Sequence, residues 1–446
     1  MGTEVRKVLV ANRGAIARRI IRACADMGLS SVAVYSDADA HAPYLAEASE
    51  AHLLPGVTPG DTYLNRQALL AVARASGADA VHPGYGFLAE NAEFAQAIID
   101  QGLTFVGPRP RWLARMGDKV AARELLAQHG FPVFGGSPLI TDLDDAREQA
   151  ARLGYPLVVK PSGGGGGMGM EVVNEAADLE RAIKRAQAIA AAAFADGSVY
   201  LERWITQPRH IEFQILGDGR GGAMHMYERE CSVQRRNQKL VEESPAPGLD
   251  AARVLANAEL AAQACGEIGY DNVGTLETLF TADGEVGFLE MNTRIQVEHG
   301  VTEAITGCDL VRLQLELATG SALPPMPVRH GFAMEVRLYA EDSNTLLPST
   351  GRLTTFEAPR LHGVRVETGY RQGQFVTPHY DALLAKLIAV GDTREMAIGR
   401  LLVGLRAFEV RGVATNALLL TKVLQDEAFL AGNVNTEIVD RIMGGE

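Results

Sequence analysis

Cysteine is scarce and scattered: Cys24, Cys231, Cys265 and Cys308 form no C-x-x-C pair, which argues against both a zinc site and a disulfide framework and fits a reducing cytoplasm. Long apolar runs are missing as well. No stretch could span a bilayer, and the start, Met1-Gly-Thr-Glu-Val-Arg-Lys, enters an apolar strand without a signal-peptide pattern, so no membrane association is expected. Positive charge is in deficit, with 42 Lys and Arg against 55 Asp and Glu for a net charge of −13, and this argues against a nucleic-acid partner. Two familiar nucleotide signatures are absent too. The turn Asn12-Arg13-Gly14 lacks the G-x-G-x-x-G of a dinucleotide site, and no glycine loop ends in the Gly-Lys-Ser/Thr of a Walker A motif.

What is present has the make-up of an enzyme. The chain has 446 residues, 47% of them hydrophobic and 22% charged, enough for two or three well-buried domains. Strand and helix patterns alternate over the first hundred residues. Lys7–Ala11, Ser31–Tyr35, Ala80–His82 and Thr104–Val106 read as strands and Gly14–Met27 as a helix, which predicts a doubly wound parallel sheet. Gly107-Pro108 through Pro110 breaks the pattern, and a helix over 119–128 follows. A compact unit then runs from strand Pro156–Lys160 through a glycine loop and strand 171–173 to a long Ala-rich helix ending near Phe194, and closes at Val199–Glu202. No internal repeat is evident. From Arg209 strands dominate, and Arg209-His210-Ile-Glu212-Phe-Gln214 alternates as a strand with one wet face.

Lys160-Pro-Ser-Gly163-Gly-Gly-Gly-Gly167-Met-Gly169 joins two apolar strands. Glycines let backbone N–H groups approach phosphate oxygens and Lys160 adds a point charge, so the loop reads as a phosphate device rather than a flexible linker. Cys231-Ser-Val-Gln234-Arg235-Arg236-Asn237-Gln238-Lys239 is dense in polar and basic groups. Alone it reads as a solvated loop; beside a phosphate loop and an acidic site it becomes a pocket for a small anion.

Residues 290–298, Glu-Met-Asn-Thr-Arg-Ile-Gln-Val-Glu, carry a polar group at every second position. In an extended segment Glu290, Asn292, Arg294, Gln296 and Glu298 share one face. Upstream, Thr275–Phe280 also alternates, and a two-residue turn at Asp283-Gly284 would pair Ala282 with Glu285 and so set Glu277 opposite Glu290. A three-residue turn would put Leu289 there instead. Carboxylates facing each other at roughly 5 Å repel by about 3 kcal/mol, which argues for a cation between them. Oxygen ligation by Glu277, Glu290 and Asn292 suits magnesium or manganese; the alternative is a surface hairpin whose carboxylates point to water.

These residues resemble a known family. Tyr155-Pro-Leu-Val-Val-Lys160-Pro-Ser with its glycine loop, and Phe288-Leu-Glu290-Met-Asn292-Thr-Arg294-Ile, look like the two signatures of ATP-grasp carboxylating enzymes. Together with Ala11-Asn-Arg-Gly14, His82-Pro-Gly-Tyr-Gly-Phe-Leu88, Met116-Gly-Asp-Lys119, the Gln234–Lys239 run and Arg294-Ile-Gln-Val-Glu298-His299, they resemble biotin carboxylases from end to end. The resemblance implies an α/β and α+β chain. An N-terminal doubly wound parallel-sheet domain would span residues 1–115 and an ATP-grasp lid with the glycine loop residues 116–204. The ATP-grasp core and a C-terminal mixed domain would take residues 205–446.

It further implies that ATP and bicarbonate form carboxyphosphate, which splits to CO₂ and phosphate, and that biotin on a carrier protein is the carboxylated substrate. By position, Lys119, Lys160, Gly166, Gly167 and His210 would contact phosphates, Glu202, Arg203, Trp204 and Ile205 would frame the adenine, and Gln234 and Asn237 would lie at the nucleotide. Glu277, Glu290 and Asn292 would hold Mg²⁺ or Mn²⁺, the first two beside ATP. Lys239, Arg294, Gln296 and Val297 (through its backbone) would bind bicarbonate. Glu298 would deprotonate it, and Arg337 would stabilise the biotin enolate. No Ala-Met-Lys-Met-like biotin attachment site occurs up to Glu446. The resemblance therefore implies a biotin carboxyl carrier protein and carboxyltransferase subunits on separate chains, as in an acetyl-CoA or other acyl-CoA carboxylase, and a homodimer in the cytoplasm.

Several positions depart from the family pattern. Met168 stands where a basic residue is usual and Asn237 where His is usual, and both imply weaker nucleotide binding or altered lid closure. Gly300 replaces the usual proline after Glu298-His299, which implies a looser backbone beside the base. Arg22 and Arg365 match dimer-interface positions, whereas His362 stands where phenylalanine is expected. Two other readings compete: a nucleotide-binding relative with weakened catalysis, and an ATP-grasp ligase joining an acid to an amine.

Overall fold

A computed structural model describes residues 5–163, 167–194, 196–343 and 345–444. The first unit is a five-stranded, all-parallel sheet in the order Glu50–Leu54, Ser30–Ser36, Lys7–Val10, Ala80–His82, Thr104–Phe105. The period-two rule is visible in its central strand, where Val8 and Val10 enter one core and Leu9 the core on the opposite face. Helix Gly14–Asp26 covers one side and helices Arg66–Ser76 and Ala92–Ile99 the other, so the sheet is doubly wound as expected. Pro110 does not simply break the chain. It opens helix Pro110–Gly117 from its first turn, where the missing N–H costs nothing. Asp118 then caps helix Lys119–Gln128 by accepting from the Ala121 N–H at 3.0 Å.

The glycine loop belongs to an antiparallel four-stranded sheet in the order Gly136–Leu139, Val199–Arg203, Leu157–Pro161, Glu171–Val173. Helices Leu143–Leu153 and Leu179–Phe194 cover one face and make a core of their own. Strand Gly136–Leu139 carries no apolar run; helix Leu143–Leu153 is missed by the sequence reading although Asp142 caps it and Leu143, Ala146, Ala150 and Leu153 recur at helical spacing.

The rest of the chain builds on an eight-stranded antiparallel sheet in the order Val286–Asn292, Asp271–Phe280, Arg209–Asp218, Ala223–Arg235, Gln238–Ser244, Phe332–Tyr339, Leu383–Gly391, Val364–Glu367. One end packs with helices Ala251–Ile268 and Lys119–Gln128, and the other with helices Arg394–Ala407 and Ala417–Gln425. Strand Arg209–Asp218 has no wet face: from His210 to Leu216 every residue is buried, and its polar side chains are paired inside the protein. Among the described residues no helix is long and apolar enough to cross a membrane.

The acidic hairpin reaches its expected register by another route. The turn has three residues, Ala282 to Gly284, closed by the Thr281 N–H to Glu285 carbonyl bond at 2.9 Å, so Phe280 pairs with Val286 and Thr278 with Phe288. A β-bulge then takes up Leu289, and Glu277 faces Glu290 after all. The polar run beyond it is not one strand. The strand ends at Asn292, residues 293–298 form a loop, and helix His299–Thr306 begins directly after Glu298.

Candidate active site

A cavity of about 1060 Å³ opens where these units meet. Its wall contains Lys119, Lys160, Gly167, Glu202, Arg203, Trp204, Ile205, His210, Gln234, Asn237, Lys239, Glu277, Glu290, Asn292, Arg294, Gln296, Val297, Glu298 and Arg337. Gly166 lies outside the described residues. Residues almost 220 positions apart in the chain are thus brought to one surface.

At the lid end, Lys160 is ion-paired with Glu202 on the neighbouring strand. Trp204 and Ile205 follow that strand as it crosses towards the central sheet. The polar run Gln234–Lys239 is a hairpin rather than a solvated loop: strands Ala223–Arg235 and Gln238–Ser244 pair Arg235 with Gln238, and Arg236 and Asn237 form the turn at φ of 48° and 63°. Both turn residues take positive φ, a conformation asparagine tolerates well, so Asn237 suits its place. A Cβ at position 167 would lie 2.1 Å from Asn237 Nδ2, so only glycine lets the lid loop lie this close to the hairpin. Met168 is 54% exposed on the same loop and lines the cavity.

In the middle, the carboxylate repulsion expected at the hairpin is met by cations. Lys119 Nζ lies 3.0 Å from Glu290 Oε2, Lys239 Nζ 2.9 Å from Glu277 Oε1, and His210 Nε2 2.9 Å from Glu277 Oε2. Burial alone would push Glu277 up; Lys239 and His210 outweigh it and hold the carboxyl well below the usual carboxylate range. Burial likewise disfavours charge on His210, and Glu277 reverses this and raises it.

At the far end, Glu298 is buried between two cations. Lys239 Nζ donates to Oε1 at 2.7 Å and Arg337 Nη2 to Oε2 at 2.9 Å. Burial raises its pKa, but Lys239, Arg337 and Arg229 together bring it well below the ordinary value, so Glu298 is ionised. Arg294 lies alongside, with Nη1 donating to Gln296 at 2.7 Å and Nη2 to Asn292 at 2.8 Å. Gly300 is not a loose point. A Cβ there would come within 2.6 Å of both Arg365 Nη2 and Ile388 Cδ1, and the Gly300 carbonyl accepts from Arg365 Nη2 at 3.3 Å. Glycine buys close packing behind the base, not freedom.

Sequence pattern overlooks the groups that hold these side chains. Glu212, fully buried, accepts from Lys239 at 2.6 Å and from Arg229 at 2.5 Å. Glu242 accepts from Arg337 Nε at 2.6 Å, and burial pushes it up to about 7 against the pull of that arginine. Lys386 donates to the Val297 carbonyl. Glu90, from the first unit, meets Arg294 at 2.8 Å. Glu212 had a signal in the alternation after Arg209; Glu242 and Lys386 sit in ordinary strand patterns.

The family description "Biotin carboxylase, N-terminal domain" matches residues 4–113, "Carbamoyl-phosphate synthase L chain, ATP binding domain" residues 118–326, and "Biotin carboxylase C-terminal domain" residues 335–441. The chain is 44% identical over 439 residues to the biotin carboxylase of Halalkalibacterium halodurans, covering 97% of each. It superposes on the Campylobacter jejuni biotin carboxylase–βγ-ATP complex with a TM-score of 0.96 at 38% identity, over 98% of this chain and 99% of that one. It superposes equally, at 0.96 and 40% identity over 99% of both chains, on the biotin carboxylase domain dimer of Hydrogenobacter thermophilus 2-oxoglutarate carboxylase in complex with MgADP, ADP and bicarbonate. With three successive domains matched and the whole chain superposed at such identity, this protein belongs to the biotin carboxylase family.

Proposed function

We propose that the chain carboxylates biotin on a carrier protein, using ATP and bicarbonate, as the first half-reaction of a multi-subunit carboxylase. The observation that carries this reading is an ionised, buried Glu298 gripped by Lys239 and Arg337 at the end of the cavity where Arg294 and Gln296 also converge. A generic acid–amine ligase has no use for a base wedged between two cations beyond its metal ligands.

In this reading Lys119, Lys160, His210 and the glycine loop with Gly166 and Gly167 bind phosphates, and Glu202 to Ile205 frame the adenine. Arg294, Lys239, Gln296 and the Val297 backbone orient bicarbonate, a planar anion matched by a guanidinium fork. Glu298 takes the bicarbonate proton as the anion attacks the γ-phosphorus, whose bond to the bridging oxygen breaks to release ADP and leave carboxyphosphate. Lys239 then has a further anion to serve besides Glu212, Glu277 and Glu298, which weakens its hold on Glu298 and strengthens Glu298 as a base. Carboxyphosphate splits into CO₂ and phosphate, the phosphate removes the biotin N1′ proton, and Arg337 steadies the resulting enolate before it attacks CO₂.

The metal donors fit a hard divalent cation: Glu277 and Glu290 are cross-strand partners, Asn292 continues the same strand, and all offer oxygen. Glu277, Glu290 and Asn292 would hold a magnesium ion whose positive charge would offset that of the phosphates. Glu277→Gln is accordingly expected to lower magnesium-dependent ATP turnover by about a hundredfold or more. Steady-state assays across a magnesium titration check this, and native turnover in the variant would rule out Glu277 as a ligand.

We further propose three units, 1–115, 116–204 and 205–446, supported by their separate sheets, and a cytoplasmic homodimer. Carrier and carboxyltransferase chains would be separate. The test of function is ATP hydrolysis with bicarbonate, with and without free biotin. ADP release that needs bicarbonate and rises with biotin is the expected result. No turnover would indicate a regulatory nucleotide binder, and indifference to biotin an acid–amine ligase.

A further inference from the structure

We propose that Glu90 is a positioning residue for the bicarbonate clamp, acting from the first unit by selecting which edge of the Arg294 guanidinium faces the substrate. The inference rests on Arg294 being a bicarbonate ligand. Glu90 itself is not part of the cavity wall, so any effect it has must pass through another residue.

The geometry is specific. Glu90 stands one residue before Asn91, the N-cap of helix Ala92–Ile99, which accepts from the Phe94 N–H at 2.7 Å and fixes the backbone there. One Glu90 oxygen, Oε2, accepts from Arg294 Nε at 2.8 Å, and the other, Oε1, accepts from the Thr293 N–H at 3.0 Å. A single carboxylate thus pins both the backbone where the chain leaves strand Val286–Asn292 and the side chain that follows. A guanidinium has two edges able to grip a planar anion with paired N–H groups. With Nε committed to Glu90, the free edge is the Nη1–Nη2 one. Its present partners, the amide oxygens of Gln296 and Asn292 and, at 3.3 Å, the Ile295 carbonyl, are neutral acceptors that an anion can displace.

The Glu90 side chain is 40% exposed, so its pairing with Arg294 adds little to global stability. That separates positioning from folding. In Glu90→Gln one oxygen can still accept from Thr293, but an NH₂ group is turned towards Arg294 Nε, and the guanidinium loses its anchor.

The experiment measures bicarbonate and ATP kinetics, ADP affinity by calorimetry and the melting temperature for the native full-length chain, Glu90→Gln and Glu90→Asp. We expect kcat/KM for bicarbonate to fall about ten- to a hundredfold in Glu90→Gln, the loss of one charge-assisted hydrogen bond. ADP affinity and Tm should hold, and Glu90→Asp should recover part of the loss. Bicarbonate kinetics unchanged in Glu90→Gln, in a native chain that does depend on bicarbonate, would overturn the role alone. So would ADP affinity or Tm falling in step with activity, since that marks a structural effect. ATP cleavage by the native chain without any bicarbonate dependence would overturn both this role and the reading beneath it.

Discussion

Glu298→Gln is expected to lower biotin-dependent ATP cleavage by about 10²–10⁴-fold while leaving ADP affinity intact, the range associated with removing a positioned general base. The substitution is nearly isosteric and keeps an oxygen for one of the two cations, Lys239 or Arg337, that now share the carboxylate. What it removes is the ability to accept a proton. It also removes the charge that opposes the two cations, so bicarbonate binding need not weaken and could tighten. The diagnostic pattern is therefore a collapsed kcat with ADP affinity preserved by calorimetry, since Glu202 to Ile205, proposed to frame the adenine, line the lid end of the cavity. Loss of ADP affinity in step with turnover would mean that Glu298 shapes the nucleotide site and is not the base.

How far such a site can be read from sequence is clearest at the acidic hairpin. Alternation put Glu277 and the Glu290–Glu298 set on one side of the chain, and the cavity does contain them all. Yet the details that deliver them were illegible. The Asp-Gly signal implied a two-residue turn; the turn has three, and a bulge at Leu289 cancels the shift. Two local irregularities compensated because the register is held from outside, by burial of the strand partners and by cations reaching Glu277 and Glu290 from three other elements. Beyond Asn292 alternation continues in the sequence although the strand does not, since loop backbone can also aim every second side chain at one cavity. Four strands of the parallel sheet are legible as short apolar runs in the alternating pattern; the edge strand Glu50–Leu54, Glu-Ala-His-Leu-Leu and largely unburied, has no such run and is missed. The wet face expected at His210–Gln214 failed for a different reason: polar residues that satisfy one another in a buried network look, in a single sequence, like residues facing water. For Glu90 the sequence offers a helix-capping signal next door and nothing about Arg294, a partner two hundred positions away.

The buried network also sets the second large effect. Lys239→Met is expected to lower turnover by at least about a hundredfold and to destabilise the protein by about 3–5 kcal/mol at neutral pH, the cost of stripping the partner from buried charges. One Nζ serves three carboxylates, Glu212 at 2.6 Å, Glu277 at 2.9 Å and Glu298 at 2.7 Å. Burial alone would lower the Lys239 pKa; the anionic Glu212, Glu277 and Glu298 around it reverse this and keep it charged. Methionine fills much of the volume but leaves the carboxylates facing one another, with Arg229, Arg337 and His210 as their remaining partners. The pH dependence has a definite sign. In the native protein the folded-state pKa of Glu298 lies well below the ordinary value, so its stabilising contribution is present above the usual carboxylate range and is lost as pH falls through the folded pKa. Without Lys239 that pKa rises, and the variant takes up protons at higher pH than the native chain does. The gap in Tm between native and variant should therefore hold from neutrality down to the ordinary carboxylate range, about pH 4 to 5, and narrow as pH falls below it. A gap that stays constant as pH falls below that range would show that Lys239 acts through packing and not through its charge. Lys239→Arg should not restore activity, because a planar fork cannot put one nitrogen within reach of three carboxylates converging on a single point.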